Sequence, residues 1–417
     1  MLKKRVVAAV AAALVAGGVS AVEVNPGGKG EVLLAPMVMV AGGWESELRI
    51  INTDTVNSVV AKVAFHKAER SEEVLDFLVF LSPGDVWRGT AVKNADGTFG
   101  VRSTDESSLV VPVAGAVGCP AATAQSVGFD PMVIKSSVPA DFTYVKVFQS
   151  RLVTGLGAAP VAKSAILTAY STACNAGTPI TAADTANVLT ADVTLSNAAN
   201  GNMLRLPMTA LANYNNSAYQ RIGFPSTFAG NPTNADALGT TTKARVEDAL
   251  WATDFAVPYD VTSGSTTFAT VTFPTKETFI SSAGTQYAGF LPGGRAPNVA
   301  MQIRNEQEDL IGTAGCIVSP CAVNPANTLP NELNVLAVTA GSGTNTASQV
   351  FTSSFTRGWV NMSIEPSAST ARGEANYNNF GTAGAPALVT VINWVTRGTS
   401  LQGSWTYAAK TQAPDNN

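Results

Sequence analysis

The chain has 417 residues, of which 46% are hydrophobic and only 13% are charged, and its formal net charge is −4. This length allows two or three domains with sizeable cores. An acidic chain with a single histidine excludes the basic surface that nucleic acids and anionic lipids require, and it excludes metal sites built from several histidines.

The first 21 residues have the pattern of a secretory signal peptide. Lys3, Lys4 and Arg5 form a positive start, an apolar run covers residues 6–19, and small residues close the run at Ala21. The run is too short to span a bilayer core of about 30 Å comfortably, and no later stretch approaches about 20 apolar residues. We therefore expect a secreted or cell-surface protein that begins at Val22 and has no transmembrane segment in its mature chain.

Next in chain order, residues 59–65 alternate between two faces. The alternation places Val63 and Phe65 on one face and Lys62 and His66 on the other. Period two is typical of a strand that is buried on one side only. The pattern therefore predicts a half-buried strand with His66 at the surface.

The stretch EEVLDFLVFLSPGDVWRG, residues 72–89, is apolar on both faces before the turn S-P-G-D. It predicts a strand that is buried on both sides, with Phe77 and Phe80 on opposite faces. Proline followed by glycine is typical of a type II turn, which requires a positive φ at Gly84. Asp76 interrupts the apolar run, and we expect it to have a structural role, paired with Arg70 or Lys67 or with backbone amides.

Further strand-like stretches continue to residue 394, and the clearest helix pattern covers residues 240–252. The sequence predicts a mainly β fold: immunoglobulin-like or jelly-roll-like β-sandwich domains with one short inserted helix. We expect a signal peptide at 1–21, an N-terminal β-sandwich domain at 22–155 and a second β-rich region at 156–417. The second region contains the helix and can share strands with the first.

Four cysteines lie in this exported chain, and an oxidising compartment favours disulfides. Cys316 and Cys321 flank a short loop and are expected to pair, which leaves Cys119 for Cys174. Four cysteines allow three pairings, so the other two stay open. A zinc site is the alternative, but there is neither a C-x-x-C pair nor a second histidine.

The chain resembles a large group of secreted, mostly uncharacterised proteobacterial cell-surface β proteins. The shared pattern is L-x-x-P, V-x-N-T, E-V-x-D-F-x-x-x-L-S-P-x-D-V-W and T-F-P-T-K, in that order. The matching segments are residues 28–36, 50–53, 61–65, 71–87, 272–276, 329–335 and 358–359. The chain departs from the group in two places. It has Met37-Val38 where two tyrosines are usual, and it has Ser107-Ser108 where the group often has a cysteine after T-S-D. The resemblance implies a surface β protein and carries over no catalytic residue.

Catalytic chemistry finds little support in the sequence. His66 lacks a nucleophile motif and triad partners. Acidic residues could serve a glycosidase or hold Ca²⁺, although no D-x-D-x-D-G loop is present. The acidic residues in question are Glu69, Glu72, Glu73, Asp76, Asp105, Glu106, Glu306, Glu308 and Asp309. We expect no catalytic, cofactor-binding or metal-binding residue, and Ca²⁺ is the one ion we consider.

Low charge and many strands favour a non-enzymatic structural protein that assembles with copies of itself into a surface layer, sheath or filament. The alternative is a carbohydrate-binding or adhesive surface module with surface glycans as partners. Its sites would be exposed aromatic residues such as Trp44, Trp87 or Trp405.

Overall fold

The computed structural model describes residues 22–69, 72–103, 109–112, 119–120, 132–136, 138–180, 186–199, 201–214, 242–275, 299–311, 329, 331–340, 349–353, 355–364, 384–397 and 400–408. The predicted signal peptide and the predicted Cys316–Cys321 bridge lie outside these residues. No helix in this part of the chain is long and apolar enough to cross a membrane.

The elements confirm a mainly β fold. In chain order the strands are β1 (Glu23–Val24), β2 (Val32–Met39), β3 (Glu45–Asn52), β4 (Ser58–Lys67), β5 (Glu73–Leu81), β6 (Val86–Lys93), β7 (Phe99–Ser103), β8 (Leu109–Pro112), β9 (Met132–Lys135), β10 (Phe142–Val153), β11 (Leu189–Asn197), β12 (Asn202–Pro207), β13 (Thr209–Ala212), β14 (Trp251–Ala252), β15 (Asp254–Asp260), β16 (Ser265–Thr272), β17 (Val299–Asn305), β18 (Leu310–Ile311), β19 (Leu333–Ala340), β20 (Gln349–Ser353), β21 (Arg357–Ile364), β22 (Ala385–Pro386), β23 (Leu388–Arg397) and β24 (Ser400–Ala408). The two helices are α1 (Lys163–Asn175) and α2 (Thr242–Ala249).

The strands form two sandwiches. Sheet 1 has the order β1-β13-β2-β10-β4-β5-β8 and faces sheet 2, β12-β11-β3-β6-β7-β9, across one apolar core. Sheet 3, β15-β21-β17-β18, faces sheet 4, β20-β19-β16-β23-β24, across a second core. A small pair, β14-β22, stands apart from these four sheets. Among the described pairs, all are antiparallel except β19 with β20.

The first sandwich draws strands from both sides of the predicted domain boundary at residue 155. β11, β12 and β13 lie between residues 189 and 212, yet they pair into sheets 1 and 2. A division at 155 and 156 therefore does not separate the sheets, and the second region shares strands with the first.

The stretch around β5 matches its prediction. Phe77 and Phe80 point to opposite faces of β5, and both are fully buried. Phe77 contacts Trp87 inside the first sandwich, with ring centroids 5.5 Å apart, whereas Phe80 contacts Tyr170 of α1 at 5.9 Å. Gly84 has a φ of 72°, as the turn requires.

The prediction that β4 is half-buried is wrong, because its second face is covered as well. Lys62 has an exposed fraction of 0% and His66 one of 1%. Helix α1 packs on part of this outer face of sheet 1 through Ile166 and Leu167. Asp76 also lies on this face, and its partner is Lys62, whose Nζ atom is 2.7 Å from a carboxylate oxygen.

Two helices occur among the described residues, where one was predicted. The helix predicted at 240–252 is confirmed as α2 over Thr242–Ala249, although Trp251 and Ala252 of that range form β14. Helix α1 was missed. The Cys119–Cys174 disulfide is confirmed, and it joins residue 119 to α1.

Candidate functional site

A cavity of about 590 Å³ lies where the first sandwich meets the second. Its floor and walls come from the end of β2, the turn that follows it, the neighbouring ends of β4 and β10, and the beginning of β19. The two sandwiches also share apolar contacts, since Leu333 and Ile392 of sheet 4 extend the core of the first sandwich. The cavity is therefore a cleft between two units packed against each other.

The turn between β2 and β3 places Trp44 at the cleft. Gly42 and Gly43 have φ values of 62° and 80°, which allow the chain to reverse tightly. The hydroxyl of Ser46 accepts a hydrogen bond from the Met39 N–H at 3.0 Å and donates one to the Met39 carbonyl at 2.8 Å. These bonds hold the turn closed.

Trp44 is half-buried and bridges the two sandwiches. Trp44 lines the cavity, and its ring packs edge to face on that of Trp394 of β23, with centroids 5.0 Å apart. Trp394 in turn contacts Phe268 of β16 at 5.9 Å. The indole of Trp44 is therefore supported by aromatic packing and has few other orientations open to it.

The second wall is formed by the adjacent ends of β4 and β10. Thr143 pairs with Lys67, and the Ala68 N–H donates to the Phe142 carbonyl at 3.3 Å. Glu69 and Asp141 lie just beyond this end of the two strands, and both line the cavity at its rim. Both carboxylate side chains are exposed, and Phe142 lines the cavity beside them.

A lysine from the neighbouring sheet approaches this rim. The Nζ atom of Lys93, at the end of β6, is 2.6 Å from a carboxylate oxygen of Asp141. Both side chains are about half exposed, at 43% and 52%. One of the two rim carboxylates is thus already neutralised by a neighbour, at the strength typical of a surface pair.

The third wall is the start of β19, held by a buried carboxylate. Asn331, Leu333 and Val335 line the cavity, while Glu332 between them is fully buried. The Tyr144 hydroxyl of β10 donates to Glu332 Oε2 at 2.6 Å.

Backbone hydrogen bonds fix the same wall to the first sandwich. The N–H groups of Glu332 and Leu333 both donate to the Ala68 carbonyl, at 2.9 and 3.0 Å. In addition, the Thr272 hydroxyl donates to the Pro36 carbonyl at 2.7 Å. The cleft therefore has walls held by bonds that cross between the sandwiches, as expected of a preformed site.

Of the three tryptophans predicted as binding residues, Trp44 lies at this cleft. Trp87 is fully buried in the first sandwich, so its prediction as an exposed binding residue is wrong. Trp405 belongs to β24, and its side chain lies outside the description.

The predicted acidic residues separate into different environments. Glu69 lines the cleft, whereas Glu72 is paired with Lys67 at 3.2 Å and Asp76 with Lys62. Glu306, Glu308 and Asp309 lie in the turn after β17, where the Asn305 side-chain oxygen accepts hydrogen bonds from the N–H groups of Gln307 and Asp309.

No group of three or more histidine, cysteine, aspartate or glutamate side chains is placed to hold a metal ion in the described part of the chain. The expectation of no metal-binding residue, with Ca²⁺ as the one ion considered, stays a prediction.

His66 lies behind the cleft. Its ring stacks on Tyr144, with centroids 5.0 Å apart and planes 18° apart, and it is buried. The outer face of sheet 1 around it also carries Lys146, whose Nζ atom is 5.6 Å from the centre of the Tyr144 ring. The histidine supports the residue that anchors Glu332, and it has no surface from which to act as a base.

Asp141, Phe142 and Asn331 were not predicted as site residues. They reach the cleft because strands far apart in the chain pack together, and no local spacing relates them. One signal was available: the segment L-P-N-E-L-N, residues 329–334, places polar residues at the start of a strand-like stretch. The structure buries two of them, Glu332 and Asn334. Buried polar residues in a strand start indicate a structural contact.

A scan against protein-family models, a search of curated proteins and a search of solved structures each found no match for this chain.

Proposed function

We propose that the chain is an exported, non-enzymatic cell-surface protein that binds saccharides in the cleft between its two sandwiches. The observation that carries this proposal is the half-buried Trp44 on one wall of the cavity with Phe142 on another. Aromatic side chains with one face supported by protein and the other open offer a rigid platform for a ligand.

The chemistry of the cleft fits a sugar ring. The C–H groups on the faces of a pyranose pack well on flat aromatic rings, whereas its hydroxyl groups need hydrogen-bond partners at the edges. Trp44 and Phe142 supply the first kind of surface. Glu69, Asp141 and Asn331 supply carboxylate and amide groups around it.

Binding without hydrolysis is the simpler proposal for this geometry. A glycosidase uses two carboxyl groups on opposite sides of the scissile bond. Here Glu69 and Asp141 both line the cavity where β4 ends and β10 begins, and Asp141 is already paired with Lys93.

Self-assembly into a layer, sheath or filament is the second candidate. Its specific support is the apolar surface near two sheet edges, where Met203 of β12 is 63% exposed and Val24 of β1 is 42% exposed. Addition of strands at the edges finds less support. Pro258 interrupts the hydrogen-bond donors of β15, and β24 lies against β12.

The test is a glycan array probed with the purified mature chain, followed by calorimetric titration of the best saccharide. Trp44→Ala should weaken binding at least about tenfold, as loss of a buried aromatic anchor does. Phe142→Leu, which keeps an apolar side chain, should weaken binding less.

Trp359→Ala is the matched control, because Trp359 is a half-buried tryptophan of β21 outside the cavity. Its saccharide affinity should stay at the wild-type value. A chain that binds no saccharide and forms large regular particles in negative-stain images would favour self-assembly instead.

A further inference from the structure

The cleft combines aromatic faces with an excess of negative charge at its rim. Glu69 and Asp141 both line the cavity there, and Lys93 forms an ion pair with Asp141. Among the described residues, none forms an ion pair or hydrogen bond with the Glu69 carboxylate. Within the part of the chain that the structure describes, the rim therefore carries about one negative charge that no ion pair compensates.

The aromatic walls favour the same sign of ligand charge. The face of an aromatic ring is the negative part of its quadrupole, so a cation close to Trp44 or Phe142 is attracted to the ring. Glu69 and these rings line one cavity. A cationic group in the cleft thus gains from both an ionised carboxylate and a π face, whereas an anionic group is repelled by both.

Resting on the saccharide-binding function proposed above, we propose that the cleft selects saccharides that carry free amino groups, with the ammonium group held by Glu69 beside Trp44. The sugar ring packs on the aromatic walls, and the ammonium replaces the solvent around the Glu69 carboxylate. Neutral and N-acetylated sugars with the same ring lack this ion pair.

Lys93 is the residue that limits this preference. Its Nζ atom lies 2.6 Å from a carboxylate oxygen of Asp141, and its ammonium group adds a positive charge near the opening. Removal of this charge frees Asp141 for a second amino group. The structure therefore assigns opposite effects to two exposed residues of the same rim.

The test is calorimetric titration with three hexasaccharides of one backbone: glucosamine, N-acetylglucosamine and glucose. The measurements are made at low salt and mildly acidic pH, where the sugar amines are protonated. We expect the glucosamine oligomer to bind about five- to tenfold more tightly than the other two, with an advantage that shrinks as salt is added.

Glu69→Gln should remove most of this advantage, because glutamine keeps a side chain that can hydrogen-bond sugar hydroxyls but has no charge to pair with an ammonium group. Lys93→Gln should increase the advantage by about two- to fivefold. Glu308→Gln is the control, because Glu308 is an exposed acid in the turn after β17, outside the cavity.

The two proposals fail in different ways. Equal affinity for the three oligomers, or an advantage that survives Glu69→Gln, overturns the selection of amino sugars and leaves saccharide binding standing. Absence of binding by every oligomer, together with an empty glycan array, overturns the proposed function itself.

Discussion

Phe77 and Phe80 lie on opposite faces of the strand β5 and pack in two separate apolar cores. Phe77 packs inside the first sandwich against Trp87, and Phe80 packs beneath α1 against Tyr170. Both side chains are fully buried. Phe77→Ala and Phe80→Ala should each lower the free energy of unfolding by roughly 3–5 kcal/mol, measured by chemical denaturation.

Val56→Ala is the control for these two variants, because Val56 is 67% exposed and should tolerate the change within about 0.5 kcal/mol. A loss of less than about 1 kcal/mol in either phenylalanine variant would contradict the assignment of two buried faces to β5.

At the same scale, His66 marks the limit of what the sequence could predict. The alternation over residues 59–65 correctly indicated a strand, but alternation between polar and apolar residues normally means that one face is exposed to solvent. The structure instead buries a lysine, an aspartate and this histidine on the second face. Only the packing of other elements on that face reveals this, and no local pattern encodes it.

The elements β4 and β5 are joined by a buried ion pair on the outer face of sheet 1. Lys62 and Asp76 have side-chain exposures of 0% and 6%, and their charged atoms are 2.7 Å apart. Lys62→Met leaves the Asp76 carboxylate buried without this cation and should cost about 3–5 kcal/mol. The double variant Lys62→Met, Asp76→Leu should recover most of that loss, because both charges are removed together.

Denaturation curves of the single and double variants measure this effect. Lys67→Met is the matched control on the same strand, because its pair with Glu72 is partly exposed and should be worth at most about 1 kcal/mol. If the double variant is as unstable as Lys62→Met, the cost lies in packing and the account of the pair is wrong.

The two helices show which elements a sequence discloses. α2 was predicted because Lys243 and Glu247 lie one helical turn apart, among apolar residues that are spaced as on one side of a helix. α1 is rich in alanine, serine and threonine. The residue before its first turn, Ala162, makes no side-chain hydrogen bond that caps the helix. Its buried positions Ile166, Leu167, Tyr170 and Cys174 do follow a helical period, but they are sparse. The covering of Phe80 by α1 supplies the apolar contacts that the sequence pattern only hints at.

At the scale of the whole molecule, the bond between Tyr144 and Glu332 joins the two sandwiches behind the cleft. Tyr144→Phe removes one hydroxyl and leaves the buried Glu332 carboxylate without that donor. The loss should cost about 1–3 kcal/mol or more of stability. Because Asn331 and Leu333 on either side line the cavity, we also expect weaker saccharide binding.

Tyr259→Phe is the control for this change. Its hydroxyl donates to the Arg304 carbonyl at 3.1 Å within sheet 3, away from the cleft. It should lower stability modestly and leave saccharide affinity unchanged. Equal affinities for the Tyr144 variant and the wild type would mean that the bond supports the fold without shaping the site.

The cleft as a whole could not be predicted, although several of its parts could. Trp44 was named as a candidate binding residue, and Glu69 was recognised as part of an acidic cluster. Their meeting with Phe142 and Leu333 depends on how sheet 4 packs against sheet 1. Such long-range contacts are set by the shapes and cores of complete sheets, which the order of residues along one strand does not reveal.

The most direct test of saccharide binding in the cleft is a nuclear magnetic resonance titration. It follows the indole N–H signals of the six tryptophans while a saccharide that binds the chain is added. Saccharide binding in the cleft should shift the Trp44 signal most, shift the neighbouring Trp394 signal less, and leave the buried Trp87 signal in place. A saccharide that binds while the Trp44 signal stays unchanged would contradict the assignment of the cleft as the binding site.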